Sequence, residues 1–210
     1  MKTIPTIYLA SSSSRRISLL HQMGFSFRIL PNTIDESNIK TLDPFETVNL
    51  LSRMKAESVL NGIQEGIVIG ADTLVFLNGE ILGKPRNDRE ATQMLQKLSG
   101  KTHEVYTGFT LIQIGGKCIS DVEITSVIFR KLTVWEIQDY VKSGGPLDKA
   151  GGYGIQDRSG LFVDRISGCF YNVVGFPLTK FYQSLKSLLG ENRLREMIWQ
   201  GKETHDERTR

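Results

Sequence analysis

Cysteine is scarce: Cys118 and Cys169 are the only two in 210 residues, far apart and without a CxxC spacing. That argues against a zinc site and a disulfide framework, and both are expected to be reduced, small packing residues. Histidine is almost as sparse. His21, His103 and His205 come with no Ser–His–Asp order, so histidine-based nucleophilic chemistry is not expected. No apolar run approaches the roughly 20 residues that span a bilayer, and Met1–Thr6 carries no signal-peptide core. The expectation is a cytoplasmic protein with no membrane partner. Neither GxGxxG nor GxxxxGK followed by Ser or Thr occurs, so the Rossmann and P-loop readings fail on their own motifs. The formal net charge is only +3, without the clustered Lys and Arg that a nucleic-acid partner requires.

What is present alternates between strand and helix patterns. Ile7–Ala10 reads as a buried strand, and Phe25–Leu30 as a second. Asp43-Pro44-Phe45-Glu46 is a helix start, with Asp at the N-cap, Pro at the first turn and Glu three residues on; that helix is expected to stop near Gly62. Ile67–Ala71 reads as a short buried strand. Leu74–Leu77, Asn78-Gly79 and Glu80–Leu82 read as a type I′ hairpin. Asn87 and Glu90 offer a capping box, and Gly100 a helix end. Two long strands, Glu104–Ile114 and Cys118–Leu132, flank Gly115-Gly116-Lys117. Thr133 with Glu136 caps another helix, and Pro177 opens a core helix through Leu188. Between them, Gly144–Gly175 is crowded with glycines, which suggests backbone that something approaches closely. Long hairpins among these elements imply a mixed sheet in an α/β protein.

The chemistry gathers at a few positions. Ser11–Ser14 followed by Arg15 and Arg16 joins a strand to a helix N-terminus, the usual construction of an anion site. Arginine adds a planar fork that fits phosphate. Asp72, expected at the end of the Ile67–Ala71 strand beside a small-residue turn in Gly70-Ala71-Asp72-Thr73, is placed to hold a metal or activate water, and Asp35-Glu36 offers another acidic position. Lys84 stands before Pro85, which holds it extended. Lys55 lies on a helix face that reads as solvated, and Asp148-Lys149 falls in the glycine-rich segment. Cations on separate elements together with acids for a divalent ion are what a triphosphate–metal substrate needs.

Six segments in order carry a resemblance: Leu9-Ala10-Ser11 through Arg15-Arg16; Gly70-Ala71-Asp72-Thr73; Gly83-Lys84-Pro85; Leu98-Ser99-Gly100; Asp148 through Gln156; and Val174-Gly175 with Pro177-Leu178. Their types and spacings resemble the Maf family of nucleoside triphosphate pyrophosphatases from about Ile7 to Leu189. The resemblance implies a two-lobed α/β fold around a long mixed, twisted sheet, with the active site in the cleft between lobes. It implies one Maf-like domain over 1–190; the C-terminal helix and polar tail expected over 191–210 lie outside the family pattern.

It further implies hydrolysis of a nucleoside triphosphate to monophosphate and pyrophosphate with a divalent metal, Mg²⁺ or Mn²⁺, in nucleotide housecleaning. Asp72 would be the catalytic carboxylate, and Glu36 with Asp72 would hold the metal. Ser13, Arg15, Arg16, Lys55, Thr73, Lys84, Lys149 and Gln156 would bind or order the substrate. Arg15, Thr73 and Gln156 resemble the branch that takes dTTP and UTP, and an amide at Gln156 can donate and accept at once, as a uracil or thymine edge requires. Alternatives are the 7-methyl-GTP branch and a nucleotide-binding regulator of cell division. A homodimer is implied by the same likeness. Ser14 before the arginines, Met54 before Lys55 and Asp157-Arg158-Ser159 after Gln156 depart from the family pattern.

Overall fold

The computed structural model describes residues 4–35 and 43–200. Seven strands form one sheet: β1 (Ile7–Leu9), β2 (Phe27–Ile29), β3 (Ile67–Leu77), β4 (Glu80–Leu82), β5 (Thr102–Gln113), β6 (Cys118–Phe129) and β7 (Val163–Ser167). Their order is β2-β1-β3-β5-β6-β7, with β4 paired to β3 alone. β1 runs parallel to β2 and β3, and the other pairings are antiparallel. The sheet is therefore mixed, as the hairpin signals imply. Helices flank it: α1 (Ser14–Gln22), α2 (Pro44–Glu57), α3 (Asp88–Leu98), α4 (Val134–Lys142), α5 (Phe170–Val174), α6 (Leu178–Leu189) and α7 (Glu191–Gln200).

Local signals explain many boundaries. Asp43 caps α2 by accepting from the Glu46 N–H at 2.9 Å. Thr133 and Glu136 complete a reciprocal capping box on α4. Asn78 and Gly79 both have positive φ, as a type I′ turn requires, and the β3–β4 register leaves only those two residues in the loop. The Asn87 box is half formed. Asn87 caps the Glu90 N–H, but the Glu90 carboxylate turns to the Arg86 guanidinium and N–H.

Several expectations are corrected. Asp72 is not at a strand end: β3 continues from Ile67 to Leu77, with Asp72 at its middle. Gly70 and Ala71 do not make a turn. A Cβ on Gly70 would lie 2.1 Å from Ser52 O, so its bareness admits the α2 backbone against the sheet. α2 ends at Glu57 rather than near Gly62, and β6 ends at Phe129 rather than Leu132. Tyr171–Val174, in the glycine-rich segment, belongs to the short helix α5. Cys118, expected to pack, is exposed, while Cys169 is half-buried; both are free thiols.

The core divides along the length of the long strands. On one face of β3, Ile67, Ile69 and Ala71 join a cluster with Leu19, Phe109 and Phe181; Val75 and Leu77 join a second with Leu95, Phe129 and Phe162. Thr73 lies between them on the same face, since side chains alternate with period two. On β5 the sequence repeats in reverse: Val105, then Thr107, then Phe109 and Leu111. Thr73 and Thr107 are register partners. A polar rung therefore interrupts two apolar clusters, and the cleft described below opens beside it. α7 contributes Leu194 and Met197 to the first cluster.

Candidate active site

A cleft of about 330 Å³ opens where β1, β3 and the glycine-rich segment meet, within the ~300–1,000 Å³ range of small-molecule sites. Ser13, Arg15, Arg16, Lys55, Asp72, Thr73, Lys84, Lys149 and Gln156 all line it. Glu36 lies outside the described residues. Five cationic side chains against the carboxylates of Asp72 and Asp148 make its described wall a receptor for an anion.

Each wall has a local cause. The loop after β1 delivers Ser11–Ser14 and the first turn of α1. That helix has no acid in its first turn, and Ser13, its N-cap, makes no side-chain capping bond. Its N–H groups and dipole face the cleft without a built-in anion. Arg16 is buried and fixed: Nε donates to Gly175 O at 2.9 Å, Nη2 to Thr73 Oγ1 at 3.0 Å and Nη1 to Ser11 Oγ at 3.4 Å. Behind Thr73 the polar rung continues, with Thr107 Oγ1 3.0 Å away and donating in turn to Asn172 O at 3.1 Å. Asn172 is fully buried and ties α5 to the sheet through Val105 O and Thr125 Oγ1. Gly175 ends α5, so this chain also sets the carbonyl that aims Arg16.

Lys55 corrects the solvated-face reading. It points inward, with a side chain 10% exposed, and donates to Asp72 Oδ1 at 2.5 Å. Close packing of α2 on Gly70 and Gly108 brings it there; a Cβ on Gly108 would lie 2.4 Å from Val48 O. Across the cleft, Arg15 pairs with Asp148 at 2.8 Å, and Lys149 reaches the other Asp148 oxygen at 2.6 Å. Partial burial works against the Asp148 carboxylate, but hydrogen bonds from Lys149 and Arg15 outweigh it and hold the pKa below the ordinary carboxylate value. Lys84 and Gln156 are exposed at the rim, and neither bonds to another described residue.

Several contributors escape a reading of the sequence. Asn32 lines the cleft and donates to Ala10 O at 2.9 Å, tying down the Ser-rich loop; its only signal is a polar residue after a strand. Tyr153 lines it from below and meets His103 Nε2 at 2.8 Å. Burial lowers the His103 pKa to about 4 and raises that of Tyr153, so both are neutral at physiological pH. Thr107 and Asn172 are 65 residues apart and carry no local signal at all.

A divalent cation of the Mg²⁺ class takes hard oxygen ligands, one or two carboxylates completed by water and substrate phosphate. Asp72 offers such an oxygen at the cleft wall, with cations around it to hold the phosphates. No group of three His, Cys, Asp or Glu that could hold a metal occurs among the described residues. Asp72 therefore fits a metal site completed by water and substrate phosphate. No helix among the described residues is long and apolar enough to cross a membrane.

A mixed α/β scaffold with a cation-lined cleft around one inward carboxylate defines a class, that of proteins which bind polyphosphate groups. Within it the assignment is specific. The Maf-like protein family model matches residues 6–188, and the chain belongs to that family. A dTTP/UTP pyrophosphatase of Carboxydothermus hydrogenoformans is 49% identical over 181 residues, 86% of this chain and 97% of that protein. One from Clostridium botulinum strain Okra is 46% identical over 87% of this chain and 96% of its own length. Another from Caldicellulosiruptor bescii is 46% identical over 87% of this chain and 94% of its own.

Proposed function

We propose that this protein hydrolyses dTTP, UTP and related or modified pyrimidine nucleoside triphosphates to the monophosphate and pyrophosphate, clearing them from the nucleotide pool. The observation that carries the reading is the inward Lys55–Asp72 pair at 2.5 Å in a cleft otherwise lined by Arg15, Arg16, Lys84 and Lys149. The names of relatives 46–49% identical over most of both chains support the same substrate class.

In this reading Asp72 accepts a proton from water as the water oxygen attacks the α-phosphorus. The bond from that phosphorus to the bridging oxygen breaks, and pyrophosphate leaves with the electron pair. Lys55 orients the carboxylate and balances its charge. Arg15, Arg16, Lys84 and Lys149 neutralise the phosphates, with Ser13 and the α1 N-terminus behind them. Thr73 and Gln156 face the nucleoside, the free Gln156 amide being able to pair with a pyrimidine edge. Asp72 with Glu36 would hold Mg²⁺ or Mn²⁺, which supplies charge stabilisation to phosphoryl oxygens. A cytoplasmic location and a homodimer belong to the same reading by family likeness.

The test is a substrate panel of dTTP, UTP, CTP and 7-methyl-GTP with Mg²⁺ or Mn²⁺, with products identified as monophosphate plus pyrophosphate. Preferential cleavage of dTTP and UTP is expected. Preference for 7-methyl-GTP overturns the assignment of Thr73 and Gln156, and nucleotide binding without turnover replaces the enzyme by a binding regulator.

A further inference from the structure

The Lys149 ammonium is held from two sides, and only one of them faces the cleft. Nζ donates to Gly145 O at 2.6 Å and Asp148 Oδ1 at 2.6 Å, and lies 3.3 Å from Asp157 Oδ2. Three acceptors match the three protons of an ammonium group. Asp148 lines the cleft and its side chain is 61% exposed. Asp157 does not line the cleft and its side chain is 33% exposed, so it meets Lys149 from outside the cleft wall that Lys149 forms.

Asp157 is itself fixed. Its Oδ1 accepts from Ser159 N at 2.8 Å and Ser159 Oγ at 2.6 Å, and its Oδ2 accepts from Tyr140 Oη at 3.2 Å. Tyr140 is buried and packs edge-on against Phe162 with ring centres 5.4 Å apart. The lysine stem runs over Gly154, where a Cβ would lie 2.7 Å from Lys149 Cε and 3.0 Å from Asp157 Oδ2. The slot thus exists because residue 154 has no side chain, and Asp157 closes its far end.

We propose that Asp157, braced by Tyr140 and Ser159, is a positioning residue for the reaction: it holds Lys149 from behind while an incoming phosphate takes the place of Asp148. The inference rests on the reading of the cleft as a triphosphate site. Asp148 is the exposed partner that a phosphate oxygen can displace. Gly145 O and Asp157 remain, so the flexible lysine keeps one direction instead of being ordered anew at each binding event.

The experiment is a double-mutant cycle on the full chain with Asp157→Asn, Lys149→Met and both together. Asparagine keeps the size and the acceptor for Ser159 but removes the negative charge that faces Lys149. The expected result is a KM for dTTP and UTP raised about tenfold with kcat within about twofold, and no further loss when Asp157→Asn is added to Lys149→Met. Tyr140→Phe should give a smaller change of the same kind. Melting curves of each variant report folding separately. Unchanged KM in Asp157→Asn overturns the proposal, as does an equal loss in the Lys149→Met background. The cycle is read in parallel by the affinity for inorganic pyrophosphate. If wild type binds pyrophosphate but turns over neither nucleotide, the substrate reading fails and the pyrophosphate cycle still decides the role of Asp157. Absence of both activities overturns both.

Discussion

The Arg15 guanidinium and the Asp148 carboxylate, 133 residues apart in sequence, meet at 2.8 Å across the mouth of the cleft. The pair joins the first turn of α1 to the glycine-rich segment and occupies a cation that a phosphate would use. Since the Asp148 side chain is 61% exposed, the bridge itself contributes little, about 0–1 kcal/mol. Asp148→Asn is therefore expected to leave thermal stability nearly unchanged. Removing a competing negative charge should tighten binding of inorganic pyrophosphate by about three- to tenfold, measured by titration calorimetry. Weaker binding would show that Asp148 serves the anion and does not compete with it.

Gly70 sets how closely α2 approaches the sheet. In Gly70→Ala the new methyl would lie 2.1 Å from Ser52 O and 2.6 Å from Ala56 N, both rigid helix backbone. The substitution should cost about 3 kcal/mol or more in denaturant unfolding. It should also lower turnover, because Lys55 rides on the same helix. A stable and fully active Gly70→Ala protein would contradict the account of how Lys55 reaches Asp72.

Buried His103 predicts a specific pH dependence. Its pKa is lowered from 6.5 to about 4 by burial. Between those values the unfolded chain binds more protons than the folded one. Stability from this group is full above about pH 6.5, falls as pH falls, and levels off below about pH 4, a loss on the order of 3 kcal/mol. His103→Gln, which can still meet the Tyr153 hydroxyl, should lack that decline. Parallel stability curves for both proteins from pH 7 to 4 would show that the histidine is not the cause.

The polar rung predicts an effect at a distance. Thr107→Val keeps the shape of the side chain but removes the link between Thr73 and Asn172 O, at a cost of about 1–3 kcal/mol. Activity should fall as well, since Thr73 and Gly175 O both aim Arg16, and Thr107→Ser should restore it. Loss of stability with full activity in Thr107→Val would make the rung structural only.

What could be read from the sequence follows from how local each cause is. The Asn78-Gly79 turn, the Asp43 cap and the Thr133–Glu136 box are decided within four residues, and the structure has all three. Arg15, Arg16, Lys84 and Lys149 could be named because their motifs are contiguous. Asp72 was misplaced relative to its strand because small residues signal a turn and a close helix contact equally well; only the position of α2 separates the two. Inward-facing Lys55, the Thr73–Thr107 rung and the anchor at Asn172 depend on partners 17 to 102 residues away. No periodicity records such pairings. Asp157 stood out as a departure in charge, but its contact with Lys149 became visible only when the chain folded back over Gly154.

The most direct measurement is pyrophosphate release from dTTP and UTP by wild type and Asp72→Asn side by side, with melting curves for both. The account predicts rapid release by wild type and a loss of about 10²–10⁴-fold in a variant that still folds, the range a positioned general base supplies. Turnover by Asp72→Asn near the wild-type rate would contradict it.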